Sequence, residues 1–162
     1  MNLEVPVYPL DQFLGHIFHC TDMKAALGLQ RTFLENGYNI TPGQYIILSQ
    51  LWENEGIHQS ALAETTVKDR HNITRMLNLL EKNGYIRREP DPIDKRKFLV
   101  FLTAEGRSLK QELQPIVTDY FQRCLAGLKQ NDLDELKRIH HHILKNLQEI
   151  STDTYLNKSI TE

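Results

Sequence analysis

Cysteine is scarce. The 162 residues contain two, Cys20 and Cys124, far apart in the chain. That excludes a disulfide-rich framework and any multi-cysteine zinc finger, and it fits a reducing cytoplasm. No apolar run approaches the ~18 residues a membrane-spanning helix needs. The opening MNLEVPVYPLDQF has neither a basic start nor an apolar stretch, so it does not read as a secretory signal. Internal repeats, low-complexity tracts and phosphate-cradling glycine-rich loops are missing. So are a nucleophile–base set and paired catalytic carboxylates, which argues against an enzyme and calls for no cofactor.

What is present is an ordinary globular composition, 40% hydrophobic and 25% charged, enough to bury a core. The net charge of −2 conceals a split. Residues 68–97 hold nine basic groups against five acids, a balance of +4, while the rest of the chain holds ten against sixteen, −6. A cationic stretch in an acidic chain either attracts phosphate on one face or is simply a solvated face.

Helical spacing runs from Leu10 to about Asn36 through Phe13, Leu14, Ile17, Phe18, Ala25, Leu27 and Leu29, with Gly15 and Gly28 as weak points and Asn36-Gly37 as the stop. Thr41-Pro42-Gly43-Gln44 opens a second helix: a capping Thr, a Pro in the first turn and a Gln able to complete a capping box. Tyr45, Leu48, Leu51 and Trp52 form its inner face, and Glu55-Gly56 its end. A short helix follows over about Gln59–Thr65. Asp69 caps a fourth helix, which Gly84 ends. In that fourth helix Ile73, Met76, Leu77 and Leu80 make one apolar stripe. His71, Arg75, Asn78 and Lys82 lie opposite, with Arg70, Asn72 and Thr74 near the N-terminal end and flanks. This outer face carries hydrogen-bond donors and no carboxylate before Glu81.

The period then changes. Tyr85–Glu89 reads as a strand, Pro90–Asp94 as a turn and Lys97–Leu102 as a second strand, giving a hairpin tipped by Lys95 and Arg96. Thr103 caps a long helix expected to reach about Lys129, with Leu109, Leu113, Ile116, Val117, Tyr120, Phe121 and Leu128 as its stripe. Asn131 caps the last, with Leu133, Leu136, Ile139, Ile143, Leu144 and Leu147 inward. Such long apolar faces exceed what a small middle domain covers, so a second copy of the chain is expected to cover them.

Three short helices and a hairpin make a winged helix-turn-helix. The fold class is therefore mostly α with a small β-hairpin wing. Residues 1–36 and 103–162 are the dimerisation helices, and 37–102 the DNA-binding lobe. A recognition helix fills the major groove while an arginine-tipped hairpin reaches the minor groove. Gln59 and Ser60 are placed to donate to phosphate.

The run Asp69-Arg70-His71-Asn72-Ile73-Thr74-Arg75-Met76-Leu77 resembles the recognition helix of the multiple-antibiotic-resistance regulator (MarR) family. Leu80-Glu81-Lys82-Asn83-Gly84-Tyr85-Ile86, Asp91-Pro92-Ile93-Asp94-Lys95-Arg96 and Leu102-Thr103-Ala104-Glu105-Gly106-Arg107 continue the resemblance through the wing and into the dimerisation helix, and the layout matches along about 140 residues. The resemblance implies a cytoplasmic homodimer on a pseudo-palindromic double-stranded operator, a repressor released by a small-molecule effector. It maps Arg96 to the wing-tip arginine, Asp94 to the aspartate that holds it, and Thr74 and Arg75 to the recognition helix. His71-Asn72 replaces smaller hydroxyl residues, and His58 stands where Thr or Ser usually begins the third helix.

Several residues admit two readings. Cys20 is a buried small hydrophobe or, as in some relatives, a peroxide-reactive thiol. His16, His19 and Cys20 share one helix face and form either a surface cluster or part of a zinc site, although no fourth ligand is apparent and no metal is assigned. Cys124 is read as core, and the run His140–His142 as a solvated or interface segment. Tyr8, Tyr45, Trp52 and Tyr120 are read first as core. Tyr45 and Trp52, with His16 and Cys20, are the candidate effector pocket. The competing functions are a redox- or zinc-responsive regulator of the same fold and an interaction module that binds no DNA.

Overall fold

The computed structural model describes residues 14–65 and 70–158. The elements are α1 (Leu14–Glu35), α2 (Pro42–Glu53), β1 (Ile57–His58), α3 (Gln59–Thr65), α4 (Arg70–Lys82), β2 (Ile86–Pro90), β3 (Phe98–Leu102), α5 (Ala104–Cys124) and α6 (Gln130–Lys158). The expectations for Tyr8, Phe13 and the Asp69 cap fall outside the described residues, as do those for the side chains of Arg70 and His71. The chain up to Cys124 forms one compact unit, and the segment from Leu125 a second.

Local chemistry sets most boundaries. The Thr41 side chain accepts the Gln44 N–H, and the Gln44 side chain accepts the Thr41 N–H at 2.8 Å, so the capping box is complete. Gly37 ends α1 at φ +85°, where the Tyr38 N–H returns to the Phe33 carbonyl. Gly84 does the same after α4 at φ +78°, with Tyr85 N–H on the Leu80 carbonyl.

The core of the first unit lies between the helices and one face of the sheet. Phe33, Ile47, Leu48, Leu51, Leu62, Ile73, Leu77, Leu80, Val100 and Leu113 are wholly buried, each contributing about 1.5–3 kcal/mol of transfer free energy. The sheet order is β1-β3-β2, antiparallel throughout. β1 was not expected: two residues are too short to show a period. β2 extends through Pro90, which pairs with Phe98 on an edge strand, where a missing N–H is tolerated.

The start of α5 is fixed to the winged lobe by several bonds. Thr103 N–H donates to the Tyr85 carbonyl, and its hydroxyl donates to the Gly84 carbonyl at 2.6 Å while capping Gly106 N–H at 3.0 Å. Trp52 Nε1–H donates to the Gly106 carbonyl at 2.8 Å. Arg107 makes a two-pronged pair with Glu55 at 2.7 Å, and Glu55 also accepts the Leu102 N–H. A Cβ at Gly106 would stand 1.9 Å from the Tyr85 carbonyl oxygen. Further along, α5 packs on α1 through Tyr120, whose hydroxyl donates to the Ala25 carbonyl at 2.9 Å. Gly28, expected as a weak point of α1, is the site of that approach: a Cβ there would meet the Tyr120 oxygen at 2.3 Å.

Four expectations are corrected. α5 stops at Cys124, short of Lys129, because a turn with Gly127 at φ +91° follows. Leu128 therefore leaves the stripe and is half exposed. Cys124 is exposed instead of buried, as the last residue of α5. The α6 cap is not Asn131: α6 begins at Gln130, and Asp132 Oδ2 reaches back to the Lys129 N–H at 2.8 Å. In the first unit, Leu14, Ile17 and Phe18 of α1 are exposed. In the second, so are Leu136, Ile139, Leu144 and Leu147 of α6.

Gly106→Ala is expected to destabilise the protein by about 2 kcal/mol. A clash with a backbone oxygen costs about 3 kcal/mol, and better helix propensity returns about 1. Urea unfolding measures this, and an unchanged midpoint would contradict the close approach.

Candidate nucleic-acid interface

α4 buries Ile73, Met76, Leu77 and Leu80 at 5% exposure or less, as the stripe requires. Its other side turns Asn72, Arg75, Asn78 and Lys82 to solvent. Thr74 lies on the flank, half-buried, where its hydroxyl accepts the Gln59 amide N–H at 2.9 Å. Gln59, expected as a phosphate donor, thus ties the start of α3 to α4, whereas Ser60 beside it is exposed.

Arg88 joins α4 to the wing. Its backbone N–H and Nε donate to Glu81 at 3.1 Å each, its Nη2 pairs with Glu81, and the same nitrogen donates to Asn78 Oδ1 at 2.8 Å. The Arg88 guanidinium holds the Glu81 carboxyl below the ordinary carboxylate range. Arg87 pairs with Glu89, and its guanidinium lies 4.8 Å above the Phe101 ring. Arg87 and Arg88, both counted in the cationic stretch, are thus engaged within the lobe. Arg88 and Glu81 escaped sequence reasoning as a pair, because helix end and strand meet only after the Gly84 turn.

The wing tip is organised by Asp91, which is 8% exposed. Its Oδ1 accepts the N–H groups of Ile93 and Asp94 at 2.7 and 2.9 Å, and its own N–H donates to the Lys97 carbonyl. Its Oδ2 lies 3.3 Å from Nε2 of His58. His58, which stands directly before α3 where a capping Thr or Ser is usual, pairs in β1 opposite Leu99. Asp94 in turn accepts the Arg96 backbone N–H at 3.2 Å, stands 3.5 Å from Arg96 Nε and lies 3.6 Å from Lys97 Nζ. Lys95 is exposed, and the Arg96 side chain is 94% exposed, presented on a braced turn. Asp94 therefore sits against Arg96, the arrangement that the resemblance implied.

The remaining candidates form two separate pairs. Tyr45 is half-buried between Phe33 and Trp52, with ring centroids 5.7 Å from each. Cys20 Sγ lies 3.4 Å from His16 Nε2 on α1. No hydrogen bond or ring contact joins the two pairs among the described residues. Nor do the described residues hold a group of three side chains placed for a metal ion.

The two tip N–H groups on Asp91 hold its carboxyl below the ordinary value of 3.8. A depressed acid stabilises the fold fully above its unfolded value and loses that contribution as pH falls through the folded one. The Asp91 side-chain NMR signal is expected to titrate with a midpoint below 3.8, and the Ile93 and Asp94 amide signals to shift with it. A midpoint at or above the ordinary value would contradict the braced turn.

Known proteins share this fold. The sequence model of the MarR family matches residues 40–98. The transcriptional regulator HosA of Escherichia coli O111:H- is 36% identical over 103 residues, 62% of this chain and 76% of the relative. The solved structure of the transcriptional repressor CouR bound to a 23-mer DNA duplex superposes with a TM-score of 0.76 at 24% identity, covering 88% of this chain and 99% of that one. The PcaV regulator of Streptomyces coelicolor, solved with its natural ligand, gives 0.75 at 23% identity over 86% and 97%. Among the described residues no helix is long and apolar enough to cross a membrane. On the identity and coverage of HosA, with the fold, the chain belongs to the MarR family of winged helix-turn-helix transcriptional regulators.

Proposed function

We propose that this regulator is a cytoplasmic homodimer that represses transcription from a pseudo-palindromic operator and is released by a small-molecule ligand. In this reading residues 37–102 are the DNA-binding lobe, and residues 1–36 and 103–162 form the dimer base. The exposed apolar side chains of α1 and of α6 support the dimer. Arg70, His71, Asn72, Thr74 and Arg75 meet base edges and phosphates in the major groove. Asn78 serves there beside its bond to Arg88, Ser60 donates to phosphate, and Gln59 positions Thr74. Arg96 enters the minor groove, where narrow A·T-rich stretches focus negative potential, with Asp94 and Lys95 shaping the tip.

The observation that carries the proposal is the coupling of the carboxylate-poor outer face of α4 to an almost fully exposed arginine through the Arg88–Glu81–Asn78 bonds. A reader built this way engages both grooves in one rigid placement. The effector is proposed to act at the aromatic pair Tyr45 and Trp52, with His16 and Cys20 as the further candidate residues. Trp52 is the link, because its indole N–H holds the first turn of α5. The natural ligand solved with PcaV supports a small-molecule effector as such.

Arg96→Ala is expected to weaken binding to a selected duplex at least tenfold, about 1.4 kcal/mol, with dimerisation unchanged by sedimentation. Equal affinity in a gel-shift titration would contradict the minor-groove role. Wild-type affinity is expected to fall steeply with salt, by about 0.9 log units per phosphate neutralised for each log unit of salt. A flat plot would exclude phosphate contacts.

A further inference from the structure

Ile93 is the most exposed large hydrophobic side chain among the described residues, at 94%. The fold does not explain it. Turns select Gly, Pro, Asn, Asp and Ser, and the one structural service of this position is a backbone N–H donated to Asp91, which any residue except proline supplies. The side chain adds nothing to the core. It nevertheless stands on the most tightly braced part of the wing, between the Asp91 bonds and the exposed Arg96. Pro92 precedes it, and a β-branched side chain has few χ1 states to lose. An apolar group held in this way docks with little loss of freedom.

Its neighbours define what it docks on. Lys95, Arg96 and Lys97 follow Asp94 in sequence, and the exposed tip is cationic: Asp94 is turned to Arg96 and Lys97, and Asp91 is buried beneath the tip N–H groups. An apolar protein partner would have to desolvate this cluster, whereas DNA pairs with it. In the minor groove the apolar surfaces beside an inserted arginine are the deoxyribose walls, about 6 Å apart. We propose that Ile93 packs against a deoxyribose wall of the minor groove beside Arg96, contributing salt-independent contact that favours narrow stretches. This rests on the DNA-binding reading above, and it assigns to the wing an apolar anchor next to its cationic one.

The two anchors differ in their response to salt, since apolar contact releases no counterions. The experiment measures affinity against salt for the full-length protein on a duplex selected from a random pool by the wild type, comparing Ile93→Ser, Ile93→Val and Arg96→Ala. Ile93→Ser is expected to give a line parallel to the wild type and displaced about fivefold to tenfold toward weaker binding. Ile93→Val should stay within about twofold, and Arg96→Ala should lower the slope by about 0.9. A line for Ile93→Ser that coincides with the wild type would overturn the inference and leave DNA binding intact, as docking on a protein would. A changed slope for Ile93→Ser would also overturn it, because the loss would then run through the cations. Failure of the wild type to enrich any duplex would overturn the DNA-binding reading itself, and this inference with it.

Discussion

The contact on which the first unit depends most is the closure of Gly106 onto the Tyr85 carbonyl. It allows α5 to start against the end of α4 and the beginning of β2, with Trp52 of α2 bonded to the same turn. Thr103 and the Glu55–Arg107 pair lock the closure from two sides, and the Arg107 guanidinium holds the Glu55 carboxyl below the ordinary carboxylate range. Helix packing, sheet register and the position of the wing all meet at this turn. The first turn of α5 is therefore bonded directly to the connection between α4 and β2.

The second organising feature is a division among the cations. Arg87, Arg88 and Arg107 are paired with neighbouring carboxylates, Glu89, Glu81 and Glu55, Arg87 and Arg107 at the surface. Arg75, Lys82, Lys95 and Arg96 face solvent. The first group costs the protein little surface charge and sets geometry. The second gives a local positive field on a chain whose net charge is −2. The carboxylates follow the same division: Glu81 braces α4 against β2 and Asp91 braces the wing tip, while Asp94 sits against Arg96.

Much of this was legible in the sequence where the determining chemistry is local. The capping box at Thr41, the glycine stops at 37 and 84, and the stripe of α4 each act within a few residues, and each is seen as read. Arg96 beside Asp94 was implied by the family resemblance. What escaped depends on contacts distant in sequence. His58 meets Asp91, and Tyr120 meets Gly28, through the fold alone. β1 was too short to show a period. The end of α5 was misplaced for a different reason: Leu125 and Leu128 prolong the apolar rhythm past the helix, and Gly127 at positive φ was the stop that the rhythm hid.

Selection of bound duplexes from a random pool by the full-length protein tests the central claim most directly, because groove engagement by two matched lobes dictates the symmetry of whatever is enriched. The account predicts one pseudo-palindrome whose half-sites are centred about one helical turn apart, with A·T-rich steps where the wings fall. A pool that returns unenriched, or a single unpaired half-site, would contradict it.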